Sequence, residues 1–210
     1  MKNNEALQTV QEIRNLMEKS SKFLSFSGTS TILIGIYALA GAFLARRILT
    51  PVKMMPGEYS APEWLFLAPK LIGVALIVLA LAVATVFLFS FRKAKRMNQP
   101  FFNKLTYRTI TNLLLPLVTG GIFCIALLFN GYVAIIAPAL LLFYGISLIN
   151  VSKFTYGSTF WLGCGELVLG ICCAFMPGKG LLFWTLGFGV LHIVYGIYFY
   201  WKIERKEKLS

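Results

Sequence analysis

From Leu71 to Phe91 the chain runs without one charged residue, rich instead in Ala, Val and Leu. A stretch that long and apolar has one good solvent, the hydrocarbon of a bilayer. There it has one open-ended backbone form, a helix that satisfies its own N–H and C=O groups. Further runs of the same character follow it. Charged residues make up 13% of the 210, about half the roughly 25% of a soluble domain. The sequence therefore predicts an all-α integral membrane protein with no sizeable soluble domain.

The runs divide the chain into a polytopic six-helix transmembrane bundle of three hairpins. The expected spans are 23–45, 71–91, 110–129, 132–150, 157–176 and 181–201. Ahead of them, 1–22 reads as an amphipathic leader helix at the cytoplasmic or interfacial surface. Ala6, Val10, Ile13 and Met17 form its apolar stripe, with spacings of four, three and four. Its mixed charge does not fit a signal peptide. Residues 48–64 read as a polar loop, since Pro51, Pro56 and Pro62 bar a long helix. A basic tail closes the chain at 202–210. Pro116 and Pro138 fall inside spans. Each frees a carbonyl four residues earlier, at Asn112 and Ala134, either to bind an ion or water or simply to kink the helix.

Charge sets the expected orientation. The 92–109 loop carries Arg92, Lys93, Lys95, Arg96, Lys104 and Arg108 and no acid. With both termini inside, fifteen of the 20 Lys and Arg residues are cytoplasmic, as the positive-inside rule asks. Arg46-Arg47 is the pair that disagrees. The net charge of +12 thus points to topology and to membrane lipids, anionic at the cytoplasmic face, and not to nucleic acid. The six basic residues of the loop are the candidate lipid-headgroup contacts.

What is missing narrows the chemistry. All eight acids are glutamate, and there is a single histidine. Aspartate chemistry is excluded, and so is a multi-histidine metal site within one chain. Cys124, Cys164, Cys172 and Cys173 lie in apolar runs with no C-x-x-C pair, so redox chemistry has no support. No HExxH, GxSG or P-loop is present. The reading is a protein that is not an enzyme and needs no metal or cofactor.

The last hairpin carries the one polar pair of interest. Glu166 is the only acid between Glu63 and Glu204, and His192 is the only histidine. The turn at Met176-Pro177-Gly178-Lys179-Gly180 lies nearly midway between them. At about 1.5 Å per residue both fall near the middle of a ~30 Å core. Gly163-x2-Glu166-x3-Gly170 and Gly189-x2-His192-x3-Gly196 frame the two residues alike. The shared frame predicts that spans five and six approach closely through these four glycines, letting Glu166 meet His192. A carboxylate at the bilayer centre is costly. It either takes up a proton or accepts a bond from a histidinium, and the pair then titrates together. This pair is either a clasp that locks two helices or a proton-linked site. Tyr144-Gly145-Ile146 and Tyr195-Gly196-Ile197 give a weak internal echo, with Gly35-Ile36-Tyr37 beside them.

The run Gly165-Glu166-Leu167-Val168-Leu169-Gly170-Ile171, then Pro177, then Gly187 to Ile197, resembles hairpins of the HdeD-like acid-resistance membrane proteins. Those are small proteins of three repeated helical hairpins. The resemblance covers about a fifth of the chain and implies no catalytic or binding residue. The chain as a whole also looks like six-span bacterial inner-membrane proteins. The expectation is a non-enzymatic protein of accessory, sensory or stress-related type, with a membrane or cytoplasmic partner or a second copy of itself. The first alternative is a small proton- or solute-linked transporter or channel using Glu166 and His192; the second is an intramembrane enzyme.

Overall fold

The computed structural model describes residues 27–50, 61–96, 98 and 100–205, and every regular element among them is helical. The leader helix expected over 1–22 lies outside the described residues, as do most of the polar loop and the end of the tail. Helix α1 is Gly28–Leu49, α2 is Ala61–Arg96, α3 is Lys104–Phe129, α4 is Val133–Ser152 and α5 is Ser158–Ala174. The chain ends in one mixed rod. It is α-helical over Gly180–Trp184 (α6) and His192–Phe199 (α7), and widened to a π-helix over Thr185–Leu191 and Tyr200–Glu204. Among the described residues five helices are long and apolar enough to cross a bilayer: α1, most of α2, α3, α4 and the last rod. This is a membrane protein of transmembrane helices. With 17 residues, α5 is apolar but shorter.

Local chemistry explains most helix ends. The Ser27 hydroxyl caps α1 by accepting from the Ser30 N–H at 3.0 Å, and the Asn103 side chain caps α3 through the Thr106 N–H at 2.8 Å; both are good N-caps. Gly131 turns α3 into α4 with φ 77°. At 176–179 the Lys179 N–H bonds the Met176 carbonyl at 3.2 Å, and Gly178 has φ 88°. Pro177 followed by a left-handed glycine is the pattern of a type II turn.

Two loop expectations need correction. The polar 48–64 segment ends by residue 60, because α2 already begins at Ala61. Pro62 falls in the first turn, where its missing N–H is not needed. The 92–109 segment is not a loop either. α2 continues to Arg96 and α3 starts at Lys104, so the basic residues sit on two helix ends. With 36 residues, α2 is about 54 Å long, well beyond a ~30 Å core. Its last turn carries Lys93, Lys95 and Arg96 outward. Pro69, Pro116 and Pro138 all lie within helices.

Glycines set the packing, though not as the shared frame predicts. Gly163 and Gly170 turn to α4, and Gly189 and Gly196 turn to α1. A methyl added at Gly145 would stand 2.9 Å from the Gly163 carbonyl oxygen, and one at Gly163 2.8 Å from that of Gly145. The same reciprocity joins Gly28 and Gly196, each 2.7 Å from the other's carbonyl oxygen. Gly35 meets the Gly189 carbonyl, and Gly170 meets Leu142. Seven-residue glycine spacing flattens one face of a helix; it does not name the neighbour that uses it. Replacing Gly196 with leucine therefore forces α1 off the last rod, at a cost of about 1–3 kcal/mol or more. A fall in the thermal unfolding midpoint in detergent checks this, with Gly73, where an added methyl meets nothing within 4 Å, as a site where the same change is tolerated.

Among the described residues the buried side chains form three small clusters, one of them Ala94 with Phe101; the other two are larger. Leu148, Tyr156, Leu162, Tyr195 and Phe199 make one, and Leu141, Cys173 and Phe183 the other. The outer helices are largely uncovered. Leu76, Ile77, Val83 and Leu88 of α2 and Leu115, Ile122 and Ile125 of α3 are exposed, as surfaces solvated by lipid should be. The first helix is tied to the last. Glu204 Oε1 accepts from the Gly28 N–H at 3.0 Å, placing an acid at a helix N-terminus, where the dipole favours it. Lys202 and Arg205 lie over the Tyr198 and Trp201 rings, an aromatic and cationic girdle of interfacial type.

Candidate functional site

Three elements converge on His192. α5 brings Glu166, α4 brings Tyr144, and the π-helical stretch before His192 brings the Gly187 carbonyl. Glu166 and His192 are 0% and 1% exposed, so every polar atom between them has lost its water.

The hydrogen bonds orient the ring. His192 Nδ1 lies 3.0 Å from the Gly187 carbonyl oxygen. A carbonyl only accepts, so Nδ1 carries a proton. Nε2 lies 2.8 Å from the Tyr144 hydroxyl. When the ring is neutral the hydroxyl donates to Nε2; when it is protonated Nε2 donates to the hydroxyl oxygen. The contact survives a change in proton number by turning one O–H. Tyr144, Phe188 and His192 also stack, with Tyr144 and His192 centroids 5.5 Å apart and Phe188 and His192 6.3 Å apart.

Glu166 is close but not bonded. Its Oε1 lies 3.4 Å from His192 Nδ1, within ion-pair reach. The Nδ1 proton is already directed at Gly187. Among the described residues neither carboxyl oxygen has a hydrogen-bond partner. Most buried polar groups are satisfied, so one that is not calls for a reason. Room for it comes from Gly187, where an added methyl would stand 2.5 Å from Glu166 Oε2 and 2.6 Å from Leu141 Cδ2. The close approach of α5 to the last rod thus rests on Gly187 and on Gly165, which faces Leu191. Single π-type widenings recur at functional sites, and this one ends at the histidine.

A second polar contact ties the same helices. The Tyr195 hydroxyl lies 3.0 Å from Ser158 Oγ and 3.3 Å from Thr159 Oγ1. The four cysteines form no disulfide, and no cluster among the described residues has the three ligands a metal needs.

The chain matches no family model, no curated protein and no solved structure.

The candidate headgroup residues form a separate group at the joined ends of α2 and α3. Arg92, Lys95, Arg96, Lys104 and Arg108 are exposed. Lys93 is half-buried, its Nζ 5.6 Å over the Tyr156 ring. Sequence reasoning passed over Tyr144 and Gly187. Tyr144 was visible only as part of the Tyr-Gly-Ile echo, and Gly187 only as one of several glycines near His192. Replacing Tyr144 with phenylalanine removes one bond to the ring and leaves Nε2 buried without a partner. The expected loss is about 1–3 kcal/mol, read as a lower unfolding midpoint in detergent with the helical circular-dichroism spectrum unchanged.

Proposed function

We propose a non-enzymatic integral membrane protein of accessory, sensory or stress-related type. Six helices cross the inner membrane, with both termini and the basic end on the cytoplasmic side, where anionic lipid or a partner is met. The resemblance of the last hairpin to those of the HdeD-like membrane proteins suits this reading. One observation carries the non-transporting reading: Glu166 and His192 are enclosed by packed side chains and backbone, 0% and 1% exposed. In this reading His192, bonded to the Tyr144 hydroxyl, clasps α4 to the last rod, and the Glu166 carboxyl of α5 packs beside it without a bond. The Gly28–Glu204 bond supports placing both ends of the bundle on one side.

A second reading has its own support. Both Glu166 oxygens lack a hydrogen-bond partner among the described residues, beside a ring 3.4 Å away that carries a proton on Nδ1. One proton can pass between two such groups, which is the minimum of a proton-linked carrier. Flux in liposomes separates the two. The wild type, Glu166→Gln and His192→Ala are reconstituted, and proton and solute entry are followed under an imposed pH gradient. No flux above empty liposomes is expected in any of the three. Flux in the wild type that Glu166→Gln abolishes overturns the accessory reading in favour of transport.

A further inference from the structure

An α-helix gives each carbonyl to the backbone N–H four residues on. In the last rod that rule lapses over Thr185–Leu191, where the helix widens. The backbone N–H of His192, which ends the widening, goes to the Gly189 carbonyl. Its ring reaches further back, and Nδ1 donates to the Gly187 carbonyl at 3.0 Å. The imidazole thus pins the widened stretch to the residue that closes it.

The acceptor that this N–H leaves unused is Glu166. Its Oε1 stands 3.4 Å from Nδ1, and neither carboxyl oxygen has a hydrogen-bond partner among the described residues. A carboxylate accepts more strongly than a peptide carbonyl, at about 2.7–2.9 Å when the bond is charge-assisted. A charge left unpaired in a bilayer core is also costly. A neutral carboxyl meets neither objection. A bound cation fits poorly, because the Gly187 backbone and Leu141 close in on Oε2: a single methyl at Gly187 would stand 2.5 Å from that oxygen.

The other groups around the ring bring no charge. Tyr144 of α4 is bonded to Nε2. Tyr195 of the rod shares its hydroxyl with Ser158 and Thr159 of α5. Cys173 of α5 packs two turns away from Glu166, beside Leu141 and Phe183. α1 meets the rod through Gly28, Gly35 and Leu39, and its Tyr37 hydroxyl accepts from Thr85 of α2. Among the described residues Glu166 is the one carboxyl beside the ring.

We infer that Glu166 is a proton-binding site whose occupancy the His192 ring reads. With the proton on Glu166, the Nδ1–H holds the Gly187 carbonyl, as in this structure. With the proton gone, the Nδ1–H turns to Oε1 and lets go of the widened stretch. The two atoms have to close by only about half an ångström to bond. Gly189 and Gly196, which seat the rod on α1, lie on either side of the ring in sequence, so movement there passes to α1. This rests on the sensory reading proposed above and deepens it, since a reporter of proton occupancy needs no flux.

Infrared and nitrogen NMR spectra of the full chain in liposomes, with the pH stepped on both faces, test the inference. The single histidine makes isotopic labelling of the ring nitrogens site-specific. In the wild type the C=O stretch of a free, protonated carboxyl is expected in acid buffer and is lost as the pH rises. Over the same steps the Nδ1–H resonance moves to the lower field of a charge-assisted bond. Glu166→Gln, neutral and of the same shape, removes the band and holds the ring at its acid-side shift throughout. Glu166→Met gives the same result should the glutamine variant fail to fold. A ring shift that still moves with pH in these variants belongs to the histidine alone and overturns the inference. So does a carboxyl band present, or absent, at every pH in the wild type. Loss of the band on adding sodium chloride at fixed pH overturns it in favour of a cation site. Proton flux in the liposome experiment above removes the sensory reading and leaves the proton site standing.

Discussion

Replacing His192 with alanine lowers the stability of the folded protein by about 3–5 kcal/mol, while replacing Glu166 with methionine costs nothing or stabilises it. The asymmetry follows from what each side chain does. The His192 ring fills a fully buried position and satisfies the Tyr144 hydroxyl and the Gly187 carbonyl together. Removing it leaves a cavity and strips the Tyr144 hydroxyl of its partner. The Glu166 carboxyl satisfies no group among the described residues. A methionine of similar length removes its desolvation cost, on the order of 1–3 kcal/mol, and keeps the packing. Reversible unfolding of both variants in detergent decides the matter. Equal losses would mean that the acid and the ring hold each other as an ion pair and not as neighbours.

The second large effect is expected at Gly187. A valine there meets Glu166 Oε2 and Leu141 Cδ2 at once, and α5 must move off the last rod, at a cost of about 1–3 kcal/mol or more. The Gly187→Ala change isolates the acid's share. Combined with Glu166→Ala it should cost less than the sum of the two single changes, with a coupling of about 0.5–3 kcal/mol. Strict additivity, measured by unfolding midpoints in one detergent, would show that the Gly187 notch is not there to admit the carboxyl.

Much of this architecture was legible because apolar length is a direct physical signal. The run from Leu71 to Phe91 lies within α2, and the turn at Pro177-Gly178 has the geometry its residues dictate. Depth counting also placed Glu166 and His192 level, and they lie 3.4 Å apart. The reason they meet was not legible. Gly163, Gly170, Gly189 and Gly196 repeat at the right spacing, yet they serve α4 and α1. Tyr144 reaches His192 across 48 residues of chain, and no local pattern encodes that contact. The widening at Thr185–Leu191 has no propensity signal at all. Proline misled in the other direction: Pro62 reads as a helix breaker until its place in a first turn is known.

The Gly28–Glu204 bond carries a consequence for the order of assembly. It joins residues 176 apart in sequence, and the glycine contacts between α1 and the last rod are nearly as distant. A ribosome adding roughly 5–20 residues each second takes about 10–35 s to cover that interval. Through that interval the glycine face of α1 stays unfilled, and α2 is its only partner in that packing once residues 61–96 have been made. The first of the described helices to be made is thus locked only at the end, and the bundle closes when the rod bearing His192 arrives.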